Sequence, residues 1–366
     1  MAEDVYRRLQ EHFDGFYLGF PATKSGVEIR LLKRLFTPEE AEIASVIKCG
    51  HGASIKNFES LESIFEKVKH LGYTIKKVEN HLDNMTKKGA IMGAIRNGKK
   101  LYANAVLIVG IYEYQVNKLT KGFLDDMYQY IREAWGPANS KIKTDQMRVI
   151  PVGVTIKREN PIAKYDDIKT FYEESEGPFS IINCVCRQSK DLFDKPCEMT
   201  DRREVCMGVG DFAQMYNDNG WGREITKEEA LNYLKQNEQE GLIFQLNNSQ
   251  DFNFVCSCCH CCCGGIASLK RIPNPADYTT SNYLAIIDED LCTGCEICND
   301  RCQMDAITLE NDVSVVNQKR CIGCGSCIVE CPSDAISLVS KEELKVPPLT
   351  FDETYKKIAD ERKKAM

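Results

Sequence analysis

The sequence lacks the short motifs by which many enzymes bind nucleotides or activate a substrate. None of its 366 residues form a glycine-rich phosphate loop, a flavin-binding fingerprint or a nucleophile with a neighbouring base. Those motifs place phosphates or reactive side chains at fixed positions. Catalysis of those kinds is therefore not indicated.

Long apolar segments are also absent. The start, Met1-Ala-Glu-Asp, is not a basic region followed by an apolar stretch, and no run approaches the length of a membrane span. We therefore expect no membrane span and a cytoplasmic location. In such a chain, 19 cysteines indicate metal or redox chemistry rather than disulfides. Because the count is odd, at least one thiol is left over, and the isolated Cys49 is the candidate.

The chain as a whole has no excess of positive charge, since its net charge is -7. The charge is uneven, since residues 26–100 carry 14 Lys and Arg against 9 Asp and Glu. Any question of nucleic-acid binding therefore concerns the N-terminal part alone.

Cysteine is abundant instead, above all near the C-terminus. Two runs of four cysteines share one spacing. In each run two residues separate the first three cysteines from one another, and three residues separate the third from the fourth. The runs are Cys292, Cys295, Cys298 and Cys302, then Cys321, Cys324, Cys327 and Cys331. Three thiolates on one tight loop suit three corners of an iron–sulfur cube. Zinc sites use pairs of cysteines, and disulfides need an oxidising compartment.

The two runs resemble the bacterial two-cluster (4Fe-4S) ferredoxin domain over residues 283–340. In that pattern the fourth cysteine of each run binds the other cluster. The resemblance thus implies one site of Cys292, Cys295, Cys298 and Cys331, and another of Cys321, Cys324, Cys327 and Cys302. Each run is followed by a similar segment, although Gln303 stands after Cys302 where the second run has Pro332.

The N-terminal region has apolar residues at helical spacing, followed by Arg96-Asn97-Gly98-Lys99 between strand-like segments. Asn-Gly is a strong hairpin signal because both central residues need positive φ. Helices followed by a hairpin resemble a winged-helix domain. That resemblance makes the module a candidate for homodimerisation or docking.

In DNA-binding relatives, the helix before the hairpin enters the major groove. In this chain that helix carries Lys76 and Lys77 but also Glu79 and Asp83, and acidic groups on that face would repel phosphate. We therefore do not expect DNA to be a partner.

The middle region contains ten more cysteines, six of them within eight residues. We expect them to bind metal; they are Cys184, Cys186, Cys197, Cys206, Cys256, Cys258, Cys259, Cys261, Cys262 and Cys263. Soft ligands gathered in this way suit one or two further iron–sulfur clusters. Zinc bound by thiolates is the alternative, with His260 more suited to packing than to ligation.

Two partitions of these ten residues remain open. One assigns Cys184, Cys186, Cys197 and Cys206 to one site and four residues of the 256–263 run to the other. The alternative interleaves the two groups. Adjacent cysteines project in different directions, so Cys261, Cys262 and Cys263 are not expected to bind one cluster together.

Cys262-Cys263-Gly264 is similar to the paired-cysteine motif of heterodisulfide reductase subunits, whose clusters cleave disulfides. The arrangement as a whole resembles cysteine-rich, ferredoxin-terminated proteins of strict anaerobes. These similarities imply iron–sulfur redox work without naming a reaction.

We therefore predict an α+β protein with several parts. They are a winged-helix-like module with an N-terminal arm at 1–112, a cysteine-rich α/β metal-binding domain at 113–282, the two-cluster ferredoxin domain at 283–340 and a charged tail at 341–366, with an exposed helix at 354–364. The leading hypothesis is an electron-transfer protein or redox-complex subunit that serves a redox partner protein. The alternatives are a reductase with a substrate-binding cluster, a redox-responsive winged-helix regulator and a zinc-stabilised ferredoxin fusion.

Overall fold

The computed structural model describes residues 4–50, 55–153 and 164–365. Helices and sheets are mixed along the chain, as in an α+β protein. The contacts divide the chain into two compact units. The first comprises residues 1–144, 210–223 and 352–366, and the second comprises 145–209 and 224–351.

The α-helices occur in both units. In chain order they are α1 (Val5–Asp14), α2 (Val27–Leu35), α3 (Pro38–Ala44), α4 (Leu61–Val68), α5 (Ile75–Lys88), α6 (Lys121–Tyr130), α7 (Gly136–Asn139), α8 (Ile168–Glu174), α9 (Val185–Asp191), α10 (Asp211–Asp218), α11 (Lys227–Gln239), α12 (Gly264–Arg271), α13 (Ile297–Arg301) and α14 (Phe351–Ala365). Among the described residues, no helix combines the length and the apolar character needed to cross a membrane.

The strands lie mostly in the second half of the chain. In chain order they are β1 (Glu59–Ser60), β2 (Met92–Arg96), β3 (Lys99–Ala103), β4 (Met147–Ile150), β5 (Phe179–Asn183), β6 (Glu204–Val209), β7 (Arg223–Ile225), β8 (Ile243–Asn247), β9 (Phe254–Cys258), β10 (Tyr283–Ile287), β11 (Ile307–Glu310), β12 (Val313–Val316) and β13 (Ile336–Ser340).

The first unit contains the predicted N-terminal helices and hairpin. Helix α3 begins with a capping box, in which Thr37 accepts from the Glu40 backbone and the Glu40 side chain accepts from that of Thr37. Strands β2 and β3 pair antiparallel across Asn97 and Gly98, both with positive φ. Strand β1 pairs with β3, so the sheet order is β1-β3-β2.

The end of the chain, from residue 352 onwards, also belongs to the first unit. Along α14, Phe351, Tyr355 and Ile358 are all buried, and Tyr355 stacks on Tyr17 with ring centroids 4.9 Å apart. The expectation of an exposed helix is therefore wrong for this face. The three residues recur at the spacing of one helix face and pack as such a face does.

The second unit is organised around a six-stranded sheet of order β4-β8-β9-β6-β5-β7. Because successive side chains of a strand point to opposite sides, each strand contributes residues to both faces of the sheet. On one face Phe244, Met207 and Val255 pack against α8 and α11 through residues such as Tyr172 and Leu234. The opposite face carries cysteines and lies against the C-terminal segment that follows β10.

Candidate metal centres

The C-terminal part of the second unit forms two cysteine-lined cavities. Strand β10 pairs with β13 and β11 pairs with β12, both antiparallel, so each half of the segment closes against the other. One cavity is lined by Cys302, Cys321, Cys324 and Cys327. The other is lined by Cys292, Cys295, Cys298 and Cys331. These are the two sets that the sequence pattern groups, with the fourth cysteine of each run in the cavity of the other.

Tight loops and backbone amides shape both cavities. Gly323 has a φ of +68°, and a Cβ there would lie 2.1 Å from the carbonyl oxygen of Tyr283, so only glycine fits. The backbone N–H of Ala306 donates to the Cys302 sulfur at 3.2 Å, and that of Ser314 donates to the Cys292 sulfur at 3.4 Å. Amides directed at sulfur favour the thiolate, the form that binds metal.

Burial and hydrogen bonding act in opposite directions on the thiols in these cavities. Backbone hydrogen bonds from Ser314 and Gly294 lower the pKa of Cys292. Burial raises the pKa of Cys324 to about 12. A buried thiolate needs a compensating positive charge, which bound iron supplies, so both cavities fit a thiolate-bound cluster.

Four middle-region cysteines converge on one point. The sulfur atoms of Cys197, Cys259, Cys261 and Cys262 all lie within 4.8 Å of one another. The sulfur of Cys197 is 3.6 Å from that of Cys259 and 3.8 Å from that of Cys261. Cys261 is 3.4 Å from Cys259 and 3.8 Å from Cys262, measured between sulfurs. We call this set the four-cysteine group.

The remaining six middle cysteines form a second set, which we call the six-cysteine ring. Each thiol of the ring interacts with two others: Cys184 with Cys186 and Cys206, Cys186 with Cys184 and Cys263, Cys263 with Cys186 and Cys258, Cys258 with Cys263 and Cys256, Cys256 with Cys258 and Cys206, and Cys206 with Cys256 and Cys184.

The sheet explains how the ring closes. Strands β6 and β9 pair antiparallel with Met207 opposite Val255, so Cys206 stands next to Cys256. Cys258 follows Cys256 on the same face because side chains alternate along a strand. Cys184 follows β5, the other neighbour of β6, and stands at the N-cap of α9. The fold favours the interleaved partition, because Cys184, Cys186 and Cys206 pack near Cys197 but only Cys259, Cys261 and Cys262 converge with it on one point.

A buried arginine lies between the two sets. Arg187 has no exposed surface. Its Nε donates to the Cys197 sulfur at 3.3 Å and its Nη1 donates to the Ser257 carbonyl at 3.0 Å. Its Nη2 has no hydrogen-bond partner within the described part of the chain. Contacts with Cys259 and the other thiols of the four-cysteine group, together with the Arg187 charge, lower the pKa of Cys197.

His260 does not join either set as a ligand. Its Nε2 lies 3.4 Å from a carboxylate oxygen of Glu198. Its backbone N–H donates to Gln303 Oε1 at 2.7 Å. Gln303 in turn donates from Nε2 to the Gly241 carbonyl at 2.6 Å. Because Gln303 stands after Cys302 where the second run has proline, its buried amide lies against the loop of the four-cysteine group.

Helix α13 makes a second contact of this kind. Arg301, the residue before Cys302, donates to the carbonyls of Glu238 at 2.9 Å and Gln239 at 3.1 Å. These carbonyls end α11, where a cation is favourable. The residues on both sides of Cys302 thus fix the ferredoxin-like segment to the end of α11 and to the loop that follows β9.

Sequence reasoning missed Arg187, Gln303 and Gln245 as parts of these sites. Gln245 donates from Nε2 to the Cys258 sulfur at 3.0 Å. For Gln303 the sequence did contain a signal, because this residue stands where the second cysteine run has Pro332. Arg187 lies on α9 and Gln245 on β8, and only the tertiary fold brings them to the sulfurs of Cys197 and Cys258.

Cys49 stands apart from these sets. It lies in the first unit, half-buried, with its thiol 3.3 Å from the Gly50 carbonyl oxygen.

Comparison with known proteins identifies the C-terminal segment alone. Residues 284–332 match the family model of the 4Fe-4S dicluster domain. This match supports a ferredoxin-like domain at the C-terminus. No curated protein and no solved structure matches the chain.

Proposed function

We propose that this protein is an iron–sulfur electron carrier or the subunit of a redox complex. It would receive electrons from a partner protein at its two ferredoxin-type sites and deliver them towards the ten cysteines of the same unit. A bound 4Fe-4S cluster supplies the one-electron chemistry, and thiolate ligation favours a low reduction potential. The protein's own residues hold the sites, exclude water and fix their spacing.

One observation carries the proposal: the contact of Gln303 with the His260 backbone. Gln303 follows Cys302, which lines one ferredoxin cavity, and His260 lies between Cys259 and Cys261. A single hydrogen bond of 2.7 Å therefore joins the walls of two sulfur sites. Such proximity is what electron transfer between centres requires.

Exposure indicates the direction of transfer. In the cavity of Cys292, Cys295, Cys298 and Cys331, Cys295 is exposed. In the other cavity none of the four cysteines is exposed. We assign the first cavity to exchange with the partner and the second to transfer into the cysteine-rich sheet.

Rapid reduction of anaerobically purified protein tests this function. A low-potential one-electron donor is mixed with wild type and with Cys298→Ser, and each centre is followed by its absorbance and electron paramagnetic resonance signal. We expect reversible one-electron reduction in wild type, and slower reduction of the second site in Cys298→Ser. Protein with a full cluster content that takes up no electron would refute the proposal.

A reductase with its own substrate-binding centre is the second candidate, favoured by the six-cysteine ring. Six thiols exceed the four that a cubane cluster uses. A disulfide substrate would take two electrons from the partner and two protons from solvent, and its S–S bond would give two thiols. A spectral shift on adding small thiols or disulfides supports this candidate, and no shift at millimolar concentrations opposes it.

A further inference from the structure

We infer that the ten middle-region cysteines hold two unlike centres: the four-cysteine group binds a single tetrahedral metal ion, and the six-cysteine ring binds a polynuclear iron–sulfur centre through six thiolates. This assignment deepens the proposed function and rests on it for the role of the centres. Their existence is tested separately.

The sulfur spacing of the four-cysteine group suits one ion. Metal–sulfur bonds of about 2.3 Å in a tetrahedron place the sulfurs about 3.8 Å apart. The measured separations in this group are 3.4, 3.6, 3.8 and 3.8 Å. The other two sulfur–sulfur separations are at most 4.8 Å, so the four sulfurs lie close to the corners that one tetrahedral ion requires. Zinc and iron both accept this geometry, but only iron changes oxidation state, so the ion is iron if this group receives electrons as proposed above.

The ferredoxin cysteines show the sulfur spacing expected of a 4Fe-4S cluster, with which the four-cysteine group can be compared. Within the described residues, only the four-cysteine group brings three or more potential ligand atoms within 4.8 Å of one another. The eight ferredoxin cysteines do not, because each thiolate of a cubane binds a different iron at a different corner. The four-cysteine group is thus narrower than the sites that match the 4Fe-4S family.

The six-cysteine ring is wider than a single-ion site by the same criterion. Each of its thiols faces two others, yet no three of its sulfurs fall within 4.8 Å of one another in the part of the chain that the structure describes. The six sulfurs are therefore too far apart for one ion to lie at bonding distance from all of them. Neighbouring thiols that are spread too widely for one ion suit several bridged metal ions.

The charges around the ring are consistent with this assignment. Cys184 and Cys258 are buried and the other four ring members are half-buried. Gln245 donates to Cys258 at 3.0 Å and approaches Cys263 at 3.9 Å, as expected of thiolate acceptors. The buried cation beside them is Arg187, whose Nη2 lacks a partner within the described ranges. Were all six thiols deprotonated, one guanidinium could not neutralise them, whereas a polynuclear iron centre could.

Elemental analysis of the intact protein provides the first test. The full chain is purified without oxygen, and its iron, zinc and acid-labile sulfide are counted per chain. We expect iron and sulfide beyond the content of two 4Fe-4S clusters, and one further ion without sulfide. Iron and sulfide that stop at two clusters would overturn the inference, even if electron transfer through the ferredoxin sites is normal.

Single serine substitutions provide the second test. Each of the six ring cysteines is replaced in turn, with Cys261→Ser as the probe of the four-cysteine group and Cys49→Ser as the control. We expect every ring variant to change the Mössbauer signal of the additional iron. Cys261→Ser should lose one ion and no sulfide, and Cys49→Ser should match wild type. Retained ferredoxin signals show that a variant has folded.

Specific outcomes would refute the assignment. If two ring variants keep the additional iron, its sulfide and its spectrum intact, the centre is a four-thiolate cubane with two spare thiols. If Cys261→Ser loses sulfide, the four-cysteine group holds a cluster. If mass measurement of protein unfolded without reductant shows that the ring thiols are disulfides, the ring is not a metal site.

Discussion

Gln303 Oε1 accepts the backbone N–H of His260 at 2.7 Å, while Gln303 Nε2 donates to the carbonyl of Gly241 at 2.6 Å. The buried amide of Gln303, the residue after Cys302, thus connects the ferredoxin-like segment to the loop of the four-cysteine group. The second half of the ferredoxin repeat has Pro332 at this position and has no side-chain donor there.

We expect Gln303→Leu to destabilise the protein and to weaken metal binding at the four-cysteine group. The substitution removes the partner of the half-buried His260 N–H and of the buried Gly241 carbonyl, at a cost of at most about 1–3 kcal/mol each. Denaturant unfolding measures the first effect and metal release to a chelator measures the second. Gln318→Leu, on an exposed glutamine of the same segment, is the control. Equal stability of the two variants would contradict the role of Gln303.

Cys298→Ser should remove the cluster of its own cavity and leave the other intact. Cys298 lines the cavity that contains Cys292, Cys295 and Cys331. Spin quantification of the reduced protein should therefore fall by the signal of one cluster. Cys327→Ser should remove the complementary signal because it lines the other cavity. Loss of the same signal in both variants would refute the grouping.

Arg187→Gln should reduce metal affinity at the four-cysteine group by about 10- to 100-fold, the usual effect of removing a group that supports a ligand. Arg187 Nε lies 3.3 Å from the Cys197 sulfur and carries a buried positive charge. Arg187→Lys keeps the charge and should recover part of the affinity. Chelator competition measures all three proteins. Identical affinity in Gln and Lys variants would show that the arginine acts by packing alone.

The N-terminal hairpin module should bind DNA only weakly and in a salt-dependent manner. Lys100 lies 3.0 Å from Glu79 and 2.7 Å from Asp83, so part of its positive charge is already neutralised. Glu79→Gln with Asp83→Asn should increase binding at low salt, measured by fluorescence anisotropy. Sequence-specific binding by wild type at physiological salt would favour a regulator instead.

Local spacing made the ferredoxin sites predictable, because each set of three cysteines lies on one loop. The helices and the Asn97-Gly98 turn were predictable for the same reason. The ten other cysteines were not, since Cys206 meets Cys256 only through the pairing of β6 with β9. The buried face of α14 had a signal in Phe351, Tyr355 and Ile358, but the many charges around those residues outweighed it.

Removing residues 349–366 should destabilise the first unit. Tyr355 stacks on Tyr17 at 4.9 Å, and Arg362 pairs with Asp14 at 2.5 Å. Loss of Tyr355 and Ile358 exposes apolar surface worth about 1.5–3 kcal/mol for each large side chain. Thermal unfolding of the truncated protein measures the effect. Tyr355→Ala should reproduce part of it, and unchanged unfolding would contradict a structural role for α14.

The course of the chain limits how this protein can be divided. It leaves the first unit after residue 144, returns for residues 210–223 and returns again at residue 352. Within the returning segment, Trp221 stacks on Tyr114 with ring centroids 4.7 Å apart. Neither unit is therefore a continuous stretch of the gene. An expression plasmid for residues 145–351 would carry residues 210–223 without the rest of their unit, so the iron-binding half cannot be isolated cleanly by choosing two end points.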